Sequence, residues 1–258
     1  MSKKAILAVS FGTSFNETRK VTIDAIEADL AAANPDAVVY RAWTSGMILR
    51  KIAKRDGVHI DTVPEAFERM EKDGITDVVV QPTHVINGIE NDKMMDAARS
   101  YSDRFTSVKI GSPLLTTAED AMECAKALKQ EFSFVTDREA LVFMGHGSEH
   151  YANFVYPAMN YIFEELGMKN FLLGTVEGYP ELSSLMADLK KLQPEKIWLA
   201  PFMIVAGDHA NNDLAGDEED SWKSILEAEG FKTEAVLKGL GEMKSIRTMF
   251  VEHAQNAK

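Results

Sequence analysis

The sequence predicts an α/β protein with parallel sheets, built as two similar halves. Three observations lead there. Short apolar runs recur along the 258 residues, amphipathic helical stretches separate them, and the residues after the runs follow the same pattern in both halves. The runs are near-continuously apolar rather than alternating, as strands covered on both faces are. Strand–helix alternation then implies parallel strands joined by right-handed crossovers.

In chain order, the runs place strands near Ala5–Ser10, Ala37–Trp43, Asp77–Gln81 and Ser107–Gly111. The second half repeats the rhythm near Ala140–Met144, Phe171–Val176, Lys196–Ala200 and Thr233–Leu237. Helical patterns cover Glu17–Ala33, Asp92–Tyr101, Ala118–Phe132, Ala152–Leu166, Glu181–Leu192, Asp220–Ala228 and Glu242–Ala254. The charged stretch from Lys129 to Glu139 marks the expected boundary, giving domains over 1–136 and 137–258. Ser10-Phe11-Gly12-Thr13 ends the first strand of one half, and Gly145-His146-Gly147-Ser148 that of the other. Pro82 precedes Gly88-Ile89-Glu90 by the same six positions that separate Pro201 from Gly207-Asp208-His209. Phe11 thus superposes on His146, and Glu90 on His209.

At 45% apolar and 26% charged residues, the chain can bury a core and is not low-complexity disorder. A net charge of −12 argues against nucleic acid as the main partner, since neutralising phosphates needs a basic face. The single cysteine, Cys124, excludes an intramolecular disulfide and reads as a small helix filler. No run of 18 apolar residues exists, so no membrane span is expected. The apolar run Ala5–Val9 is too short for a signal-peptide core, and the chain reads as cytoplasmic.

The unusual polar residues follow strands. In an open parallel sheet the carboxyl ends of the strands form the ligand edge. If the two sheets face each other at that edge, His146, Glu177 and His209 converge, and two imidazoles with one carboxylate suit a divalent first-row metal. Structural explanations compete: a helix N-cap for Glu177, capping for His209 in His209-Ala210-Asn211-Asn212-Asp213. His59, His84 and His253 read as structural or surface residues, and His150 is open. His146-Gly-Ser-Glu149-His150 matches the inverted zinc-protease pattern, which needs both histidines on one helix; a strand running into Gly145 argues against that. Ser10-Phe11-Gly12-Thr13-Ser14-Phe15-Asn16-Glu17-Thr18 could cradle a phosphate at a helix N-terminus, as a flavin mononucleotide loop does, or cap that helix with Glu17 in a capping box. No GxxxxGK[ST] or GxGxxG pattern supports nucleotide binding. Arg41, Arg50, Lys51, Lys54 and Arg55 form either a solvated helix face or a landing surface for a polyanion. Acids from Asp208 to Asp220 could draw in a cation or serve as a helix first turn.

Together with Trp43-Thr44-Ser45-Gly46-Met47, His84-Val85-Ile86-Asn87-Gly88 and Val176-Glu177-Gly178-Tyr179-Pro180, these segments resemble the anaerobic-type sirohydrochlorin cobaltochelatases. These are class II chelatases of the cobalamin pathway, and the resemblance spans nearly the whole chain. It implies two flavodoxin-like domains with an active site in the cleft between them, and insertion of Co²⁺ into sirohydrochlorin without ATP or an organic cofactor. The family's metal-binding residues fall on His146, Glu177 and His209, and its cleft carboxylate on Glu90. His146, His209 and Glu90 are then the expected proton acceptors. Phe11, Gly12, Thr13, Ser14, Gly147 and Met203 are the expected ring contacts. Expected partners are the polycarboxylate tetrapyrrole and a divalent metal, with iron or nickel chelation or a non-catalytic tetrapyrrole carrier as rivals. A homo-oligomer stays open.

Overall fold

A computed structural model describes residues 3–258; Met1 and Ser2, the start of the segment read above for a leader, lie outside the described residues. Two compact units emerge. The first runs to Thr116 and takes in Lys244–Lys258; the second is Thr117–Met243.

The first unit carries β1 (Lys4–Ser10), α1 (Asn16–Val21), α2 (Ile23–Ala33), β2 (Ala37–Trp43), α3 (Gly46–Asp56), α4 (Val63–Lys72), β3 (Asp77–Pro82), α5 (Ile89–Tyr101) and β4 (Ser107–Ile110). The second carries α6 (Ala118–Glu131), β5 (Ala140–Gly145), α7 (Val155–Glu165), β6 (Phe171–Thr175), α8 (Leu182–Leu192), β7 (Ile197–Pro201), α9 (Trp222–Ala228) and β8 (Thr233–Ala235). Helix α10 (Lys244–Gln255) returns to the first unit.

Each unit has one four-stranded sheet, ordered β2-β1-β3-β4 and β6-β5-β7-β8, and every pairing is parallel. The repetition expected from the sequence is therefore a repetition of topology. β1 and β5 are equivalent central strands followed at once by Phe11 and His146. β3 and β7 are equivalent too, and Glu90 and His209 lie eight residues beyond their final prolines. The apolar runs match the strands because β1 and β5 are buried almost end to end.

The expected domain break at 136/137 falls inside the second unit. Helix α6 packs on α7 of that unit, and its Lys129 ammonium donates to the Leu166 carbonyl at 3.2 Å. Helix α10 packs on α2 and β3 instead, where Lys244 and Arg247 both pair with Asp29, at 2.8 and 2.7 Å. Backbone bonds between Lys258 and Ile110 tie the segment to the end of β4.

The helix expected over Glu17–Ala33 is broken at Thr22. Its hydroxyl donates to the Thr18 carbonyl at 2.6 Å and its amide turns to Arg19, a local side-chain competition with helix bonding. Helix α3 fits the solvated helix face offered for the Arg50–Arg55 cations, whereas α4 was not foreseen, although it has a capping box between Thr62 and Glu65 and buries Val63, Ala66, Phe67 and Met70. Among the described residues no helix is long and apolar enough to cross a membrane.

Candidate metal centre

The second unit brings His146, Glu177 and His209 together: one donor atom of each lies within 4.8 Å of the other two. All three follow C-terminal strand ends of one sheet, so their meeting needs only this unit's own fold.

Backbone hydrogen bonding explains the first pair. The β5–β6 ladder continues past the strands, with the Val176 amide donating to Gly145 at 3.0 Å and the Glu177 amide to His146 at 2.7 Å. Gly147 then has φ +86°, and a Cβ there would stand 2.6 Å from the Gly178 nitrogen. Only glycine combines that left-handed backbone with so close an approach. Asn153 fastens the two loops from below, a role the sequence reading missed. Its side-chain oxygen accepts from the Ser148 amide at 2.9 Å and its nitrogen donates to the Tyr179 carbonyl at 2.7 Å. Groups that orient ligands typically carry about 10–100-fold of metal affinity. Asn153→Ala is expected to weaken Co²⁺ binding by about that factor in a metal titration, with the ligands themselves unchanged.

The histidine tautomers follow from their neighbours. Nδ1 of His146 lies 3.0 Å from the Gly147 carbonyl. A carbonyl only accepts, so Nδ1 holds the proton and Nε2 keeps its lone pair. Nδ1 of His209 lies 2.9 Å from the Asp213 carboxylate, which fixes the same tautomer. The rings meet edge to face with centroids 4.8 Å apart, and the Glu177 carboxylate is 3.7 Å from His146 Nδ1. Asp213, read in the sequence as part of an acidic run and of a capping segment, is the orienting partner of His209. Two free Nε2 lone pairs and one carboxylate fit a first-row divalent ion.

Other expected contacts are spread over both units. Met203 is half-buried against the second unit's core. Phe11, exposed, follows β1 in the first unit. Gly12 there has φ +100°, and a Cβ would stand 2.5 Å from the Trp43 ring. The Thr13 hydroxyl accepts from the Phe15 amide at 3.2 Å, and the Ser14 carbonyl from Arg55 at 2.7 Å. The capping box suggested for Glu17 does not form; Glu17 pairs with Lys20, and α1 has no side-chain cap. Glu90 stands in the first turn of α5 and pairs with Lys93 at 2.8 Å. Arg41 is not part of a landing surface, because Asp24 and Glu27 engage it.

The remaining histidines separate by environment. The His150 ring accepts from the Ala152 amide at 3.1 Å, so it caps a turn and the zinc-protease pattern does not form. His253 bonds the Ser112 carbonyl, as a structural histidine would. Both ring nitrogens of His84 are closed to solvent without a partner. Burial pushes its pKa down to about 4, against the pull of Glu90. A base kept neutral in the fold but protonated when unfolded makes stability rise with pH between those two values. Stability is therefore complete above about pH 6.5 and falls by up to about 3 kcal/mol as pH drops toward 4. Urea unfolding across that window is expected to show the loss, and His84→Gln to flatten it.

Exposed aromatics went unread in the sequence. Tyr151 and Phe154 are 76% and 74% exposed on either side of Asn153, and Tyr179, beside Glu177-Gly178, is 62% exposed. Bare aromatic rings around a metal-ligand trio suit a flat apolar ligand.

Comparison with known proteins shows the family. The CbiK family, described as cobalt chelatase, matches residues 4–258. The chain is 41% identical over 257 residues to the sirohydrochlorin cobaltochelatase of Salmonella typhimurium, covering 99% of this chain and 96% of that one. It is 32% identical over 256 residues to the sirohydrochlorin cobaltochelatase CbiKC of Nitratidesulfovibrio vulgaris, covering 98% and 90%. Among solved structures, SirB from Bacillus subtilis with Fe³⁺ superposes with a TM-score of 0.68 at 14% identity, over 98% of this chain and 95% of that one. At that identity the likeness speaks for the fold alone.

Proposed function

The chain belongs to the CbiK family of cobalt chelatases, and from that premise we propose that it inserts Co²⁺ into sirohydrochlorin, the metal-insertion step of anaerobic cobalamin assembly in the cytoplasm. The observation that carries the reading is the His146–Glu177–His209 trio, whose imidazoles each hold the Nδ1 proton against Gly147 or Asp213 and keep an Nε2 lone pair.

Insertion must balance two events. The metal exchanges water and protein ligands for four ring nitrogens, and two pyrrole N–H protons leave. His146, Glu177 and His209 hold Co²⁺ as the substrate metal against one face of the macrocycle. As each histidine lets go, its freed ring-nitrogen lone pair becomes a base. A neutral imidazole serves in turn as a metal ligand and as a proton acceptor. Glu90 is the proposed proton acceptor contributed by the first unit, and Phe11, Gly12, Thr13 and Ser14 its ring contacts. Gly147, Met203 and the exposed rings of Tyr151, Phe154 and Tyr179 are the second unit's. No step needs ATP, in keeping with a sequence that lacks a Walker loop, and none needs an organic cofactor.

Imidazole and carboxylate donors do not sharply separate Co²⁺ from Fe²⁺ or Ni²⁺, so metal choice is the second reading. Sirohydrochlorin metallation is followed by absorbance with each metal in parallel. Acceleration over the protein-free rate, greatest with Co²⁺, is the expected result. A protein that binds the metallated ring but leaves the rate at background is a carrier and ends the proposal.

A further inference from the structure

The first unit holds a second group of side chains with metal-ligand chemistry. His59, Asp61 and Glu65 offer one ring nitrogen and two carboxylate oxygens within 4.8 Å of one another. Each carboxylate is held in place by its surroundings. The Asp61 carbonyl accepts from the amide of Trp43, the last residue of β2, at 2.9 Å. Its side chain is only 8% exposed, and Oδ1 accepts from Arg69 at 2.7 Å. Glu65 Oε2 accepts from the Thr62 amide at 2.7 Å and from its hydroxyl at 2.8 Å. These bonds hold the Glu65 carboxyl below its usual range and leave Oε1 toward His59.

The distances distinguish a coordination site from a hydrogen-bonded network. His59 Nε2 lies 3.3 Å from Asp61 Oδ1 and 3.7 Å from Glu65 Oε1. N–H···O bonds fall at about 2.7–3.2 Å, so neither separation is a good one. Two donors bound at about 2.1 Å to one tetrahedral ion lie about 3.4 Å apart, which both separations approach. Arg69 occupies only one of the two lone pairs on Asp61 Oδ1. The same hollow is lined by Glu68, Arg69 and Lys72. Its three carboxylates thus outnumber its two cations before the imidazole is counted.

We propose that His59, Asp61 and Glu65 form a second site for a divalent cation of the Zn²⁺ or Co²⁺ class, independent of the chelatase centre. His59 is 65% exposed, so water completes the coordination shell and the ion exchanges freely. A peripheral ion of this kind is bound, not transformed.

The test is a Co²⁺ titration of the untagged full-length protein, followed by cobalt d–d absorption. Wild type takes up two equivalents. His146→Ala/His209→Ala retains one. His59→Ala/Glu65→Gln also retains one, and metallates sirohydrochlorin at the wild-type rate. Glutamine at that position can still serve the capping box, and circular dichroism checks the fold. Combining the two sets abolishes binding. The proposal is overturned if His146→Ala/His209→Ala binds no Co²⁺, or if its remaining equivalent survives the His59 and Glu65 changes. Failure of the chelatase reading looks different: His59→Ala/Glu65→Gln would then bind one Co²⁺ and metallate nothing.

Discussion

Alanine at His146 or at His209 is expected to lower Co²⁺ insertion by about 10²–10⁴-fold, the range a positioned acid–base group supplies. Each change removes a metal ligand and a base in one atom, so the two roles must be separated experimentally. Raising Co²⁺ restores whatever part of the loss is metal binding. What persists at saturating metal is the proton-accepting part, and added imidazole should recover some of it. Asp213→Asn gives a graded comparison. It keeps the shape but lets the His209 tautomer relax, and should cost about 10–100-fold, as loss of a ligand's orienting partner does. Near-normal turnover in both histidine variants would remove these residues from the mechanism. A loss confined to one would place metal binding and proton transfer on that histidine and leave the other dispensable.

Gly147→Ala should act without touching a ligand atom. The position combines φ +86° with a Cβ that would reach within 2.6 Å of Gly178 nitrogen and 2.8 Å of Glu177 carbon. A left-handed backbone alone costs about 1–3 kcal/mol for a residue with a side chain. The clash is with backbone, which cannot swing aside, so the two loops must part and the 2.7 Å bond from Glu177 to His146 is lost. The expected result is about 2–4 kcal/mol of destabilisation, with weaker Co²⁺ binding. Calorimetry and metal titration on the same sample check both. Gly207→Ala is the control, since a Cβ there meets nothing within 4 Å. Equal losses in the two variants would show that the close approach of Gly147 and Gly178 is not what holds the ligands together.

Strands were legible because burial on both faces writes an unbroken apolar run, and the ligand trio because each member directly follows such a run or its loop. Helix α3 was legible only as one of two readings of its cations, because Ile52 is its only buried residue and it writes almost no apolar spacing. Helix α4 was readable in principle from Thr62 and Glu65 at capping-box spacing and the apolar spacing Val63-Ala66-Phe67-Met70. Missing it hid the His59 cluster as well, since Glu65 belongs to its first turn. Asn153 carried no signal at all, because a side chain that bridges two loops far apart in sequence has no local pattern. The domain boundary failed for a related reason. A charged segment marks a break only where few contacts cross it, and α6 packs across Lys129–Glu139 onto helix α7, which follows it.

The path of α10 sets a schedule for synthesis. The first unit reaches Thr116 early, yet the helix that covers α2 and pairs with Asp29 comes only after all of Thr117–Met243 has been made. At about 5–20 residues per second, that leaves an uncovered flank for roughly 6–25 s on the ribosome. The second unit, by contrast, is continuous and can close as soon as its own sheet is complete. The later-born unit therefore finishes first, and the one begun at the amino terminus matures last.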